Sequence, residues 1–135
     1  MTTKTGVTRQ IPFLKRACCK KSDLEGVSFV CARQEGDGSK PTVFRKTFTL
    51  SSKPVSAKLY ATALGVYESY INGSRTGRLL ADGSVRYDEL KPGSNEMGAR
   101  KTYYTYDVTH LLREGENVLS AVVSGGWWTG LLARR

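Results

Sequence analysis

The chain has 135 residues, 39% hydrophobic and 24% charged, which is the size and composition of one globular domain with its own core; no apolar run approaches the ~20 residues of a membrane-spanning helix. The net charge of +9 is concentrated at one end: residues 1–21 carry Lys4, Arg9, Lys15, Arg16, Lys20 and Lys21 with no acid, whereas from Lys58 onward ten basic residues meet eight acidic ones. Nucleic-acid binders carry such an excess on the folded surface, so neither nucleic acid nor a membrane is expected as a partner.

Residues 1–25 show no sustained hydrophobic period and read as a solvated basic tail, with a transit peptide and a nucleic-acid arm as alternatives. Residues 26–135 read as the folded domain. Cys18, Cys19 and Cys31 are odd in number and lack ligand spacing, which indicates reduced thiols, favours a cytoplasmic chain, and gives no reason to expect a metal or other cofactor.

Residues 27–32 (VSFVCA) are expected as a first strand and 34–41 as a loop. Thr42–Leu50 alternates, with Phe44, Phe48 and Leu50 inward, Arg45, Thr47 and Thr49 outward, and Lys46 interrupting the inner face as at a sheet edge. Residues 51–54 form a turn. Residues 55–64 place Ala57, Leu59, Ala61 and Ala63 on one face and Lys58, Tyr60 and Thr62 on the other, and Gly65 permits a bend or bulge. Residues 66–72 (VYESYIN) form a strand that ends in Asn72-Gly73, the pair that best suits a type I′ hairpin turn. Residues 75–80 would return, and 81–100 would be a long loop.

Residues 101–108 (KTYYTYDV) form a further strand. Asp107 or Thr109 is placed to cap a single helical turn at 110–113, and Gly115 suits a left-handed exit. Residues 118–124 (VLSAVVS) are apolar on both faces and so belong in the middle of a sheet. Short strands, frequent turns and no helical period of useful length predict an all-β sandwich of jelly-roll or galactose-binding-like type.

These residues resemble a known family. LYATALGVYESYINGSRTG, then DELKPGSNE, then TYYTYDVTHLLREGENVLSAVVSGGWWTG, preceded by FRKTFTL, are similar in content and order to the N-terminal β-sandwich domain of bacterial α-L-rhamnosidases. The likeness spans residues 42–130. It departs at Ser94, where an aromatic commonly follows Pro-Gly, and at an insertion around 81–85. The resemblance implies a sandwich incomplete at its C-terminus, truncated ahead of a catalytic helical barrel that would be its downstream partner.

Glycoside hydrolysis needs two carboxyl groups roughly 5–10 Å apart across the scissile bond. Glu68, Asp88, Glu89 and Glu96 are the available acids, and no spacing pairs them. The resemblance places the family's acid and base in the absent domain, so no catalytic residue is expected here. His110 is the sole histidine, and Gly125-Gly126 leads into tryptophans rather than a phosphate-binding Lys-Ser/Thr. The chemistry that remains is carbohydrate contact, in which aromatic rings stack on sugar faces and amides bond hydroxyls. Trp127, Trp128, Tyr67, Tyr70, Tyr103 and Asn72 are the candidates for contact with a rhamnose-containing glycan. Against this stands a structural role: Tyr67 or Tyr70 and one tryptophan in the core, and Asn72 only in its turn. Adjacent Trp127 and Trp128 would point oppositely on an extended backbone. The expected function is that of a non-catalytic accessory domain, the alternatives being an independent lectin-like module or a basic nucleic-acid or membrane-surface binder acting through residues 1–21.

Overall fold

The computed structural model describes residues 27–31, 40–93 and 102–128, apart from the Trp127 side chain. The expectations for residues 1–25, for Cys18 and Cys19, and for 94–101 lie outside the described residues.

The described chain is a β-sandwich. One layer is an antiparallel sheet in the order β1 (Thr42–Leu50), β8 (Gly115–Ser124), β3 (Val66–Ile71), β4 (Ser74–Arg75). The second layer pairs β2 (Lys58–Ala61) with β7 (Tyr104–Asp107), and a short ribbon joins β5 (Arg78–Leu79) to β6 (Val85–Arg86). Strand β8 lies between β1 and β3, the place its two apolar faces require. Strand β1 is one of the two edge strands of this sheet, and Lys46 on its inward-facing row is exposed there.

Register decides which side chains meet. Tyr67↔Val123, Ser69↔Ala121 and Ile71↔Leu119 share the inner face, as do Phe48↔Asn117 and Leu50↔Gly115. Ile71, Tyr106, Val108 and Leu112 form the buried core, with Phe48, Leu50, Leu59, Tyr104 and Leu119 packed around them. The two layers are therefore joined by Tyr104, Tyr106 and Leu59 lying on the inner face of the larger sheet.

Asn72 (φ 52) and Gly73 (φ 85) both take positive φ, the geometry of the expected I′ hairpin. A Cβ at Gly73 would meet nothing within 4 Å, so Gly73→Ala should cost only the left-handed backbone term, about 1–2 kcal/mol, readable by urea denaturation. At Gly65 the constraint is contact: a Cβ there would lie 2.2 Å from the Ser124 carbonyl oxygen, so only glycine lets the entry to β3 pass this close to the end of β8.

Several expected elements differ. Val27–Cys31 forms no strand, and Val27 and Val30 are exposed; β-propensity without a ladder partner does not make a strand. The strand expected over 55–64 contracts to Lys58–Ala61, the length over which β7 can pair with it, and Val55 is exposed. The return over 75–80 is split. Thr76, next in register opposite Ser69, is buried on the inner face, its N–H donating to the Ser69 carbonyl (2.9 Å) and its hydroxyl bonding the Ser69 hydroxyl (2.6 Å). The chain then leaves the sheet and pairs Arg78↔Arg86 and Leu79↔Val85, so the expected loop over 81–100 contains β6. The helical turn is a 3₁₀ turn at Thr109–Leu111, and Asp107 Oδ1 accepts the Thr109 N–H at 3.0 Å. A second 3₁₀ turn, Gly126–Trp128, replaces the extended backbone on which the two tryptophans would have alternated.

Candidate functional site

The densest polar chemistry lies where the segment after β6 returns to the exposed margin of β3. The Tyr67 N–H donates to the Lys91 carbonyl at 2.8 Å, fixing that segment beside the strand. Glu68, facing outward on β3, is gripped by Arg75 across the hairpin: Nε to Oε2 at 2.6 Å and Nη2 to Oε1 at 2.8 Å, a bidentate pair. Lys91 approaches from the other side. Its side chain is fully buried, its Nζ lies 3.3 Å from Glu68 Oε2, and the Tyr67 and Tyr106 ring centroids lie 5.4 Å and 5.2 Å away. The ammonium is thus neutralised by charge and by ring faces, without a well-aligned hydrogen bond. Asp88 Oδ2 accepts from Arg78 Nε at 3.1 Å and from the Tyr106 hydroxyl at 3.2 Å.

These contacts set the protonation states. Burial pushes the Glu68 carboxyl up, but the Arg75 hydrogen bond and the Lys91 charge outweigh it and hold the group below its ordinary value. Burial, reinforced by neighbouring tyrosines and carboxylates, pushes the Tyr67 and Tyr106 phenols far up, so both remain neutral donors. A general acid for glycoside cleavage needs a raised carboxyl pKa and a free face toward the leaving oxygen. Glu68 has the reverse: a lowered pKa and both oxygens engaged. Its arrangement clamps a loop to a strand. Among the described residues no group of three His, Cys, Asp or Glu side chains could hold a metal ion, and no helix is long and apolar enough to cross a membrane.

The Trp127 side chain lies outside the described residues, and the other five candidates for carbohydrate contact lie in different places in the fold. Tyr67 is buried in the sandwich, its hydroxyl donating to the Ala61 carbonyl at 3.1 Å. Tyr70 is half-buried on the outer face of the large sheet. Asn72 is committed to the fold: its Nδ2 donates to the Leu111 carbonyl (2.9 Å) and Asn117 Oδ1 (2.8 Å), and its Oδ1 accepts the Val118 N–H (2.9 Å). Trp128 is half-buried in its 3₁₀ turn. Tyr103 meets a second outward-facing aromatic ring, Tyr60, at a centroid distance of 6.2 Å. Sequence reasoning did not single out Tyr60 as the neighbour of Tyr103, although its place opposite the inward alanines was legible; the missing information was the pairing of KLYA with YTYD. It also missed Lys91, for which the sequence holds no signal, since a lysine after a loop leucine ordinarily faces water.

The outer face of the large sheet carries a shallow groove of about 300 Å³, lined by Pro41, Val66, Leu90, Val122 and Glu68 among others. Leu90, in its lining, and Val43, paired with Val122, are exposed.

The sequence model described as the α-L-rhamnosidase N-terminal domain matches residues 52–135. The chain belongs to the α-L-rhamnosidase N-terminal domain family. An α-L-rhamnosidase of Streptomyces avermitilis is 47% identical over 87 residues, covering 64% of this chain and 8% of that protein. One from Formosa agariphila is 35% identical over 103 residues, covering 76% of this chain and 10% of that protein. Among solved structures, the Streptomyces avermitilis α-L-rhamnosidase complexed with L-rhamnose superposes with a TM-score of 0.56 at 42% identity, over 67% of this chain and 8% of that one. The native enzyme from Aspergillus terreus gives a TM-score of 0.56 at 40% identity, over 66% of this chain and 9% of that one. The chain therefore spans only about a tenth of the length of these relatives.

Proposed function

We propose that this domain is a non-catalytic module that docks against the remainder of an α-L-rhamnosidase-type chain. The observation that carries the reading is the outer face of β8. Val118 and Val122 point away from the second layer, and with Val66, Leu90 and exposed Val43 they leave an apolar face larger than the domain itself covers. The occupant is the neighbouring domain of the same chain, because relatives of this family extend roughly tenfold beyond the matched segment. The engagement of Glu68 and Asp88 in internal ion pairs supports a role without catalysis.

The test is a chimera in which this chain replaces the matched segment of the Streptomyces avermitilis relative. Val122→Asp should lower the chimera's melting temperature by about 5 °C while shifting the isolated 135-residue chain far less. A chimera indifferent to that change would overturn the docking reading. Rhamnose release from an aryl rhamnoside by the isolated chain would overturn the non-catalytic one.

A second reading, direct contact with a rhamnose-containing glycan, is favoured by the outward Tyr60–Tyr103 pair.

A further inference from the structure

Among the described residues, Asn72 and Leu90 are the non-glycine residues with positive φ. Asn72 is accounted for: asparagine tolerates the left-handed region, and its amide is committed to Leu111, Asn117 and Val118. Leu90, at φ 49, is not accounted for in this way. A leucine there carries a steric cost that glycine avoids. Burial of its side chain does not offset that cost, because Leu90 remains 62% exposed. The backbone on both sides is pinned. Asp88 is held by Arg78 Nε and the Tyr106 hydroxyl. Lys91 is buried with its ammonium against Glu68, and its carbonyl takes the Tyr67 N–H. The Leu90 carbonyl accepts the Gly93 N–H at 2.7 Å. The surrounding contacts thus impose the conformation, and the outcome is an apolar side chain standing in the lining of the groove with Val66 and Val122.

We infer that Leu90 is the anchor of the docking face, the side chain that enters an apolar recess of the neighbouring domain of the same chain, displayed there by a left-handed backbone pinned between Asp88 and Lys91. The inference rests on the docking reading above and names the residue that carries it. A side chain fixed before contact loses little further freedom on contact, so more of its apolar area counts toward association. Strain that the surrounding structure over-determines clusters where a protein meets a ligand or a partner. The Glu68 carboxylate in the same lining is already paired with Arg75 and Lys91, so it demands no cation from the surface that covers it.

The experiment follows Leu90→Gly and Leu90→Ala by thermal melting in two settings, the isolated 135-residue chain and the Streptomyces avermitilis chimera described above, with Val122→Asp alongside. Leu90→Gly relieves the backbone, so it should raise the midpoint of the isolated chain by about 3 °C and lower that of the chimera by about as much. Leu90→Ala keeps the left-handed cost, so it should leave the isolated chain within about 1 °C of wild type and lower the chimera by about 3 °C. A residue that only packs within its own domain does not change sign between the two settings. Loss of stability on Leu90→Gly in the isolated chain, an arm that does not depend on the chimera folding, would show that Leu90 supports its own domain and would overturn the inference. Chimeras that tolerate both Leu90 variants but lose stability with Val122→Asp overturn the anchor and leave the docking reading standing. Chimeras indifferent to all three overturn both.

Discussion

Asn117→Ala is expected to remove about 3–5 kcal/mol of folding stability, a large share of the ~5–15 kcal/mol that holds a typical domain together. The Asn117 side chain is fully buried on the inward face of β8 and is satisfied on every side. Its Nδ2 donates to the Arg113 carbonyl (2.7 Å) and the Gly115 carbonyl (3.0 Å); its Oδ1 accepts from the Arg113 N–H (3.1 Å) and from Asn72 Nδ2 (2.8 Å). Through Asn72 this network joins the β3–β4 hairpin, the 3₁₀ turn and the start of β8. Alanine strands several of these groups where water cannot easily replace the lost partner, and each orphaned group costs about 1–3 kcal/mol. Asn117→Asp should be comparably damaging, because it puts a charge against two carbonyl oxygens and loses both donors. Denaturant unfolding is the measurement. An Asn117→Ala protein within about 1 kcal/mol of wild type would mean that the network is dispensable.

The second large effect is an asymmetry between two ends of one ion pair. Glu68→Gln should cost about 3 kcal/mol, because it leaves the Lys91 ammonium fully buried with no countercharge and releases the bidentate grip of Arg75. Lys91→Met removes the buried charge itself and keeps the stem that packs against Tyr67 and Tyr106; Glu68 retains Arg75, so the cost should stay below about 1 kcal/mol. Equal losses in the two variants would sink the argument. The same pair predicts a pH dependence. The Glu68 pKa is lower in the folded state than its ordinary value of 4.5. Its stabilisation is therefore complete above that value and is lost as the pH falls below it toward the folded-state value. Asp107, whose carboxyl is lowered by hydrogen bonds from Thr109, acts in the same direction from an exposed position. Glu68→Gln should flatten the acid limb of the stability curve, and an unchanged limb would show that Glu68 is not the titrating group.

The elements that could be read in advance are those specified by neighbouring residues. Asn72-Gly73 makes its turn because two positive φ angles are a local demand. The central place of β8 follows from valines on both faces, and the inward set Phe48 and Leu50 from alternation. The misjudged stretches were decided by partners distant in the chain. Val27–Cys31 has strand chemistry but no ladder beside it among the described residues. The expected return over 75–80 is split because Arg78 and Leu79 pair with Arg86 and Val85 and not with β3, and that pairing makes β6. The six carbohydrate candidates were chosen by residue type. Burial then committed Tyr67 to the interior and Asn72 to a network, and pairing placed Tyr103 beside Tyr60.

Residue order alone was enough for the all-β class, the hairpin, the central strand and the likeness to α-L-rhamnosidase N-terminal domains, since each is written in periods of two or in contiguous motifs. Which tyrosines face water, which acid is already held by a cation, and where Lys91 is buried were settled only when strands far apart in the chain came into register. Register is a relation between segments, and no single segment carries it.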